Sequence, residues 1–251
     1  MSLRITTPAS FAGNNIGWRA PTSQQPEFAA FFNASISNLV PGSIQPTTIP
    51  GLAAPQLTVG MAGSQLPYVT TQGGSYGIDT GLSQTPDFTI ILLANVPNPA
   101  TTSEQSVLVS SYGRGSDSSM QLCTWTSGVF HAYCTSSNTG DVIANLQDSG
   151  AWGSWRLLSM TVSTSGTTQT ITISDLTNGN TATDSVTKSA NTTDSGVTYW
   201  IGNDPTCSTT QNAGAVKMSF LGIWDSVLSS DDQNAVRALL QKYTTQYGQT
   251  C

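Results

Sequence analysis

The stretch AVKMSFLGIW at 215–224 runs into DSVLSSDDQNAVRALLQKYTTQY at 225–247, and the two segments follow different periods. Val216, Met218 and Phe220 recur at the two-residue period of a strand. Leu221 and Ile223 make the far end of this strand apolar on both faces. We therefore expect a strand whose second half is buried on both sides.

The second segment predicts an amphipathic helix. Its apolar residues follow one helical stripe: Val236, Leu239, Leu240, Tyr243 and Tyr247. Ser229 and Asp232, three residues apart, form a capping-box-like start that satisfies unpaired amide donors of a helix N-terminus. Gly248 is a suitable stop. The sequence thus predicts a buried strand, a short turn and one C-terminal helix that lies on the sheet.

Composition indicates a mostly β protein that does not bind nucleic acid. Only 9% of the 251 residues are charged, and Ser, Thr, Asn, Gln and Gly fill the polar positions, as on a sheet surface rich in hydroxyl groups. The net charge is −6, and no Lys/Arg cluster is present that could neutralise a row of phosphates. The longest strongly apolar run, near 88–96, is too short to span a bilayer, so no membrane insertion is expected.

The N-terminal residues MSLRITTPASF lack the apolar core of a signal peptide. We expect either that a leader was removed or that the protein leaves the cell in a phage particle released by lysis. The expected location is therefore a virion or the extracellular space.

Residues 1–55 are expected to form a separate N-terminal arm, because they contain seven of the twelve prolines. A short helix is predicted over 26–36, with Phe28, Phe31 and Phe32 on one side. These phenylalanines either cover an end of the main domain or dock the arm on a neighbouring subunit or a larger particle. We thus predict a homo-oligomer or a particle-bound protein, with residues 1–55 used for docking or oligomerisation.

Residues 56–251 are expected to form one all-β domain. Apolar alternation marks successive short strands separated by turn residues, with no βαβ rhythm, in the segments 88–96, 107–111, 120–124, 129–133, 156–162, 169–173, 198–202 and 216–224. Many short antiparallel strands of this kind predict a two-sheet sandwich or a barrel.

The order of these motifs resembles the laminin-G-like, concanavalin-A-like lectin/glucanase jelly-roll family. The motifs are SYGIDTGLSQTPDFTIILLANV, WGSWRLLSMTVS with TQTITISDLTNG, YWIGND, and VKMSFLGIWDSVLSSDDQNAVRALL. The resemblance covers about residues 65–245 and implies a two-sheet antiparallel jelly-roll sandwich. Because this fold carries lectins, adhesion modules, glycosidases and virion proteins, it implies little about function.

The sequence contains no arrangement of side chains typical of a catalytic site. A retaining glycosidase needs two carboxylates about 5 Å apart, but Glu27 and Glu104 are far apart in sequence, and Asp231 and Asp232 read as helix caps. His131 is the only histidine, alternates with strand residues, and is expected to be a half-buried sheet residue rather than part of a Ser–His–Asp triad. We therefore predict no catalytic residues.

No cofactor or metal ligand is assigned, although calcium stays open because Asn203, Asp204, Asp117, Asp141 and Asp148 all lie in predicted loops. The four cysteines lack zinc spacing. With a two-residue turn at Gly128-Val129, Cys123 would lie opposite Cys134, and a bridge from Cys207 to Cys251 would then pin the tail. Four unpaired thiols are the alternative, and the sequence does not decide between them.

Ligand binding is the function class that the loops support. Sugars are recognised by an aromatic face together with short polar groups, and candidate ligand-binding residues are Tyr112, Arg114, Asp117, Trp125 and Trp152. Each aromatic could instead pack in the sandwich. Trp155, Trp200 and Trp224 lie in strand patterns and are assigned to the core.

The sequence predicts a non-enzymatic structural or adhesion protein, a bacteriophage virion component that faces a host surface or decorates the particle. The alternative is a secreted carbohydrate-binding lectin module whose partner is a cell-surface glycan. A glycoside hydrolase or lyase on the same fold is a third, less supported hypothesis.

Overall fold

The computed structural model describes residues 18–114, 119–126, 128–135, 141–147, 152–188, 193 and 196–251. Within these residues the strands are β1 (Phe28–Phe31), β2 (Thr47–Thr48), β3 (Gln56–Thr58), β4 (Tyr68–Gln72), β5 (Ile78–Ser83), β6 (Phe88–Asn95), β7 (Val107–Ser110), β8 (Ser119–Trp125), β9 (Val129–Thr135), β10 (Val142–Gln147), β11 (Trp155–Ser165), β12 (Thr168–Asp175), β13 (Asn180–Thr187), β14 (Thr198–Ile201) and β15 (Ala215–Trp224). A short 3-10 helix spans Thr102–Glu104, and helix α1 spans Ser230–Thr245.

The strands form two antiparallel sheets, as the sequence predicts. One sheet has seven strands in the order β10-β9-β8-β7-β14-β5-β2. The other has eight, in the order β13-β12-β11-β6-β15-β4-β3, with β1 as a further partner of β15. Alternate side chains of the two sheets meet in one core, so the all-β, two-sheet sandwich with a C-terminal helix is confirmed.

The central strands β6 and β15 are buried on both faces. Ile90 and Leu92 point into the core between the sheets, whereas Ile91 and Leu93 belong to a second apolar cluster on the other side. Helix α1 covers that side through Val236 and other residues of its apolar stripe. The β6–β15 part of the outer face of the eight-stranded sheet is therefore covered.

The strand and helix predicted over 215–247 are confirmed. Trp224 is fully buried, and the buried positions of α1 include Val236 and Leu240. The Ser229 hydroxyl accepts a hydrogen bond from the Asp232 amide at 3.1 Å, which is the expected N-cap. Asp232 also accepts hydrogen bonds from the amide and hydroxyl of Ser23, each at 2.8 Å, so the same carboxylate ties the N-terminal segment to α1.

The helix predicted over 26–36 is wrong, because residues Phe28–Phe31 form a strand. This strand pairs with the 220–223 part of β15, directly after β4 ends its pairing with 215–218. Phe28 points into the core between the sheets, and Phe31 points toward α1. The open hydrogen-bonding edge of β15 thus decides the structure of this segment over its local helix preference.

Residues 18–55 contribute to both sheets, through β1 and through the pairing of β2 with β5. The division at residue 55 and a docking role for residues 1–55 remain predictions. In the described residues, no helix is long and apolar enough to cross a membrane.

The register of β8 and β9 excludes the Cys123–Cys134 bridge. Cys123 lies opposite His131, and Cys134 lies opposite Met120, because the connection between the strands spans 126–128 rather than two residues. Cys134 packs in the core between the sheets, and Cys123 points away from it. Cys207 lies beside Asp204 and Cys251 beside Thr244, and all four thiols are free.

The N-cap gives a direct test of the strand–helix junction. Replacement of an N-cap serine by alanine typically costs about 1 kcal/mol, so we expect Ser229→Ala to lower the free energy of unfolding by that amount. Ser230→Ala, one position later and exposed, is the matched control and should change it little. Urea unfolding measures both. Equal effects of the two substitutions would contradict the capping role of Ser229.

Candidate functional site

The candidate site lies on the outer face of the seven-stranded sheet, the face turned away from the other sheet. Strand alternation decides which residues reach it. On β8, Met120 and Leu122 point into the core, so Gln121, Cys123 and Trp125 point outward. Gln121 and Cys123 are themselves buried, whereas Trp125 at the end of the strand is exposed.

Four rings follow one another across this face, and we call them the aromatic row: Trp125, His131, Tyr133 and Tyr112. Trp125 stacks on His131 with ring centroids 4.0 Å apart and an interplanar angle of 8°. The His131 and Tyr133 rings are 5.9 Å apart, and Tyr112 meets Tyr133 edge to face at 5.5 Å. The row joins the β8–β9 hairpin to the turn after β7.

Trp125 is the exposed member of the row, with 46% of its surface accessible, whereas His131 is only 3% exposed. The Nδ1 of His131 lies 2.7 Å from the amide oxygen of Asn145 on β10, so a neutral ring donates its Nδ1 hydrogen there. This bond fixes the imidazole plane. The imidazole in turn holds the indole of Trp125 parallel to its own plane.

Arg114 sits at the other end of the site. Its guanidinium carbon lies 3.8 Å from the ring centroid of Trp200, and Nη2 donates to the carbonyls of Ser110 at 2.9 Å and Thr198 at 2.5 Å. Burial lowers the pKa of Arg114 to about 10, against the opposing effect of Asp79 and Asp204. The group therefore stays charged at neutral pH, between two carboxylates.

Trp200 was expected in the core, but it is half-buried on the outer face. Tyr199 and Ile201 take the two inward positions of β14, so the intervening Trp200 must point outward. Its indole N–H and the Nε of Arg114 are buried and have no hydrogen-bond partner among the described residues. Trp155 is also half-buried, on the other sheet, where its ring lies 5.9 Å from Tyr68.

Asp204 forms a polar support beneath the site. Gly202 ends β14 with a φ of +77°, a conformation that glycine adopts without strain, and a Cβ at this position would lie 2.1 Å from Thr71. The chain then turns so that the Asp204 carboxylate accepts hydrogen bonds from the side chain of Gln121 and the amide of Thr206. Gln121 and Asp204 are both buried, which anchors the 203–212 loop to the sheet.

Burial also raises the pKa values of other groups on this face. The pKa of the Cys207 thiol rises to about 12, chiefly through desolvation and then through Asp204. Desolvation likewise raises the pKa of Tyr133 to about 12. These groups are protonated at neutral pH, so they do not offer a thiolate or phenolate nucleophile.

The structure brings three of the five predicted ligand-binding residues to this face: Tyr112, Arg114 and Trp125. Trp152 lies elsewhere, because its ring stacks on Phe130, which points into the core between the sheets, with centroids 4.5 Å apart. Asp117 lies outside the described residues. A ligand role for any of the five stays a prediction.

The sequence does not predict that His131 and Tyr133 belong to the candidate site. Their alternation with Val129 on β9 was visible, but it did not show which neighbours they would face. Among the described residues, no group of three or more His, Cys, Asp or Glu side chains could hold a metal ion. Asp117 and Asp148, two of the loop acids considered for calcium, lie outside those residues.

The fold is shared with bacterial toxin binding domains. No protein-family model matches the chain, and no curated protein matches it. The binding domain of botulinum neurotoxin serotype D superposes with a TM-score of 0.59 at 13% identity, over 90% of this chain and 54% of that one. The binding domain of botulinum neurotoxin DC in complex with SialylT gives 0.58 at 11% identity, over 85% and 51%.

A third similar structure is a protein of unknown function, SO2946 from Shewanella oneidensis MR-1. It gives a TM-score of 0.50 at 10% identity and covers 92% of this chain and 100% of that one. In contrast, the present chain spans only about half the length of the two neurotoxin domains. At these identities the likeness shows a shared β-sandwich fold.

His131 predicts a pH dependence of stability. Burial lowers its pKa below the ordinary value of 6.5, despite the hydrogen bond to Asn145. As pH falls below 6.5, the unfolded chain binds the proton before the folded one, so the free energy of unfolding should fall. One proton limits the slope to about 1.4 kcal/mol per pH unit.

Urea unfolding between pH 8 and pH 5 would measure this slope in the unaltered protein and in His131→Gln. We expect the loss of stability toward acid pH to be smaller in the variant. Identical pH profiles would mean that the imidazole does not titrate as a buried neutral group.

Proposed function

We propose that this chain is a non-enzymatic binding module that recognises a cell-surface glycan through the outer face of the seven-stranded sheet. The observation that carries the proposal is the exposed ring of Trp125, held flat by its stack on His131. A fixed, exposed indole is suited to the apolar C–H face of a sugar ring. Pre-organisation of this kind reduces the entropy lost on binding.

Polar groups lie on the β5 and β14 strands of the same sheet. Asp79 is half-buried, and its Oδ1 accepts hydrogen bonds from the amide of Gly81 at 2.9 Å and the hydroxyl of Thr198 at 2.7 Å. Such carboxylate and hydroxyl groups provide the directional contacts that sugar recognition needs. The row supplies apolar area and the β5–β14 side supplies hydrogen bonds.

Charge favours uncharged sugar units over acidic ones. Arg114 is the only cationic side chain that the structure places on the described part of this face, and Asp79 and Asp204 both act on it. The protein as a whole carries a net charge of −6. An anionic ligand would meet no excess of positive charge here.

The arrangement of carboxylates supports binding without catalysis. Glycoside hydrolysis needs one carboxyl group as acid and a second as nucleophile or base beside the scissile bond. Of the described carboxylates near the row, Asp204 is buried and hydrogen-bonded to Gln121 and Thr206. Asp79 acts on Arg114 and Asp141 acts on Tyr133, so the other two described carboxylates near the row interact with different groups of the site.

The comparisons support a binding role by fold alone. The neurotoxin domains are described as binding domains, one of them in complex with SialylT. Cell entry of botulinum neurotoxin type C, whose structure superposes on this chain with a TM-score of 0.58 at 12% identity, is dependent upon interaction with two ganglioside molecules. The family resemblance to laminin-G-like and concanavalin-A-like proteins is part of the same proposal.

A glycan array followed by calorimetry on the best ligand tests the proposal. Trp125→Ala and Tyr112→Ala should each weaken binding about tenfold or more, which corresponds to about 1.4 kcal/mol. Tyr68→Ala is the matched control, because Tyr68 lies on the other sheet. Trp152→Ala should lower stability and leave affinity unchanged, since Trp152 packs on Phe130.

Two results would contradict the proposal. One is an array without saturable binding by the folded protein. The other is binding that is unchanged in Trp125→Ala but lost in the Tyr68→Ala control. That result would place the binding site on the eight-stranded sheet.

We further propose that the module acts on the surface of a bacteriophage particle. Support comes from the weakly charged, Ser/Thr-rich composition and from the proline-rich segment 1–55. The described part of that segment contributes strands to both sheets, so docking on a particle would use its exposed side chains, such as Ile44. A secreted lectin module is the alternative.

Mass spectrometry of purified particles separates the two settings. The virion proposal predicts the chain in gradient-purified particles at a constant ratio to the capsid protein. A chain found free in the medium, and missing from the particles, would instead support the secreted module.

A further inference from the structure

Strand β3 is the last strand of the eight-stranded sheet, and its outer edge has no strand partner in the part of the chain that the structure describes. It pairs on one side with β4, through Gln56 with Thr70, Leu57 with Val69, and Thr58 with Tyr68. An edge strand of this kind presents backbone N–H and C=O groups that another strand can pair with. Pro55 precedes it and lacks an N–H, which limits pairing to the residues that follow.

The residues along this edge are unusually apolar for a surface. Leu57, Val59 and Met61 are 38%, 62% and 65% exposed, and they are three of the six large apolar side chains exposed in the described chain. We call these three residues the apolar edge. Proteins normally protect a free edge with charged side chains, above all lysine.

The chain segment that carries the apolar edge lacks charge. Residues 28–78 contain no Lys, Arg, Asp, Glu or His, although the protein carries a net charge of −6. Nearby in space, Lys217 lies over the ring of Tyr68 on the neighbouring strand β4. Two copies of a negatively charged protein repel each other least where neither carries negative charge, so this segment suits contact between identical chains.

We propose that the apolar edge is a self-association surface, on which β3 pairs antiparallel with β3 of a second copy. An antiparallel pair of identical strands is related by a twofold axis, so one surface satisfies both partners. With Leu57 at the axis, Gln56 of each copy lies opposite Thr58 of the other. The pairing joins the two eight-stranded sheets and buries Val59 and Met61 of both copies.

The dimer goes beyond the proposed glycan binding and does not depend on it. The binding face lies on the seven-stranded sheet, whereas β3 belongs to the eight-stranded sheet. In the dimer, the aromatic row of each copy therefore stays accessible. Two rows in one dimer raise the avidity for a surface that carries many copies of the ligand.

Sedimentation equilibrium of the full chain over a wide concentration range tests the proposal. We expect a reversible monomer–dimer equilibrium, and Val59→Lys should weaken self-association at least about tenfold because each copy then brings a charged side chain to the paired edge, opposite Pro55 of the other copy. Val227→Lys and Ile44→Lys are matched controls, since both side chains are exposed, at 45% and 64%, away from β3. They should leave the dimer intact.

Amide hydrogen exchange of the unaltered protein provides a readout that does not depend on a variant folding. Protection of the amides of 56–59 should increase with protein concentration. Protection independent of concentration would mean that another part of the same chain, such as residues 1–17, covers the edge. That result, a monomer at all concentrations, or a dimer that persists in Val59→Lys would overturn the proposal.

Discussion

The structure depends on the burial of both faces of β6 and β15. Full burial of one aliphatic side chain stabilises the fold by about 1.5–3 kcal/mol, more than the net contribution of about 0.5–1.5 kcal/mol from one hydrogen bond. Strands with apolar side chains on both faces therefore need a cover on each side. The seven-stranded sheet covers one side, and helix α1 with the 18–32 segment covers the other.

This two-sided burial leaves the outer sheet surface away from α1 for function. Helix α1 lies on the β6–β15 part of the eight-stranded sheet, whereas β12 and β13 expose pairs of Thr and Ser hydroxyls and the seven-stranded sheet exposes Trp125. Trp125, His131 and Tyr133 lie on adjacent strands of that sheet and owe their spacing to its regular geometry. A rigid sheet of this kind supports a pre-organised binding surface better than loops alone.

The sequence predicts those elements whose period is unambiguous. The 215–247 strand and helix, the burial of Trp224 and the Ser229 cap are confirmed because each rests on local spacing. Phe28–Phe31 is different, since its helical spacing gives way to the free edge of β15, which is distant in the chain. The Cys123–Cys134 pairing is wrong for a related reason, because the observed register differs from the expected one by three residues, an odd number that puts the two thiols on opposite faces.

The sequence predicts only that part of the candidate site which depends on local residue types. Tyr112, Arg114 and Trp125 combine aromatic and polar character in loops or strand ends, and they meet on one face. The support of Trp125 by His131, and the outward position of Trp200, depend on strand register and on which neighbours fill the core. Neither can be deduced without the pairing of the strands.

The central claim is that ligands bind on the outer face of the seven-stranded sheet. Nuclear magnetic resonance of the tryptophan indole N–H groups during a glycan titration tests it most directly, because the six indoles are distributed over both sheets. The account predicts that the signals of Trp125 and Trp200 shift with one common affinity, while those of Trp155 and Trp224 stay in place. Shifts confined to Trp18 or Trp155 would contradict it, since both pack on the opposite side of the sandwich.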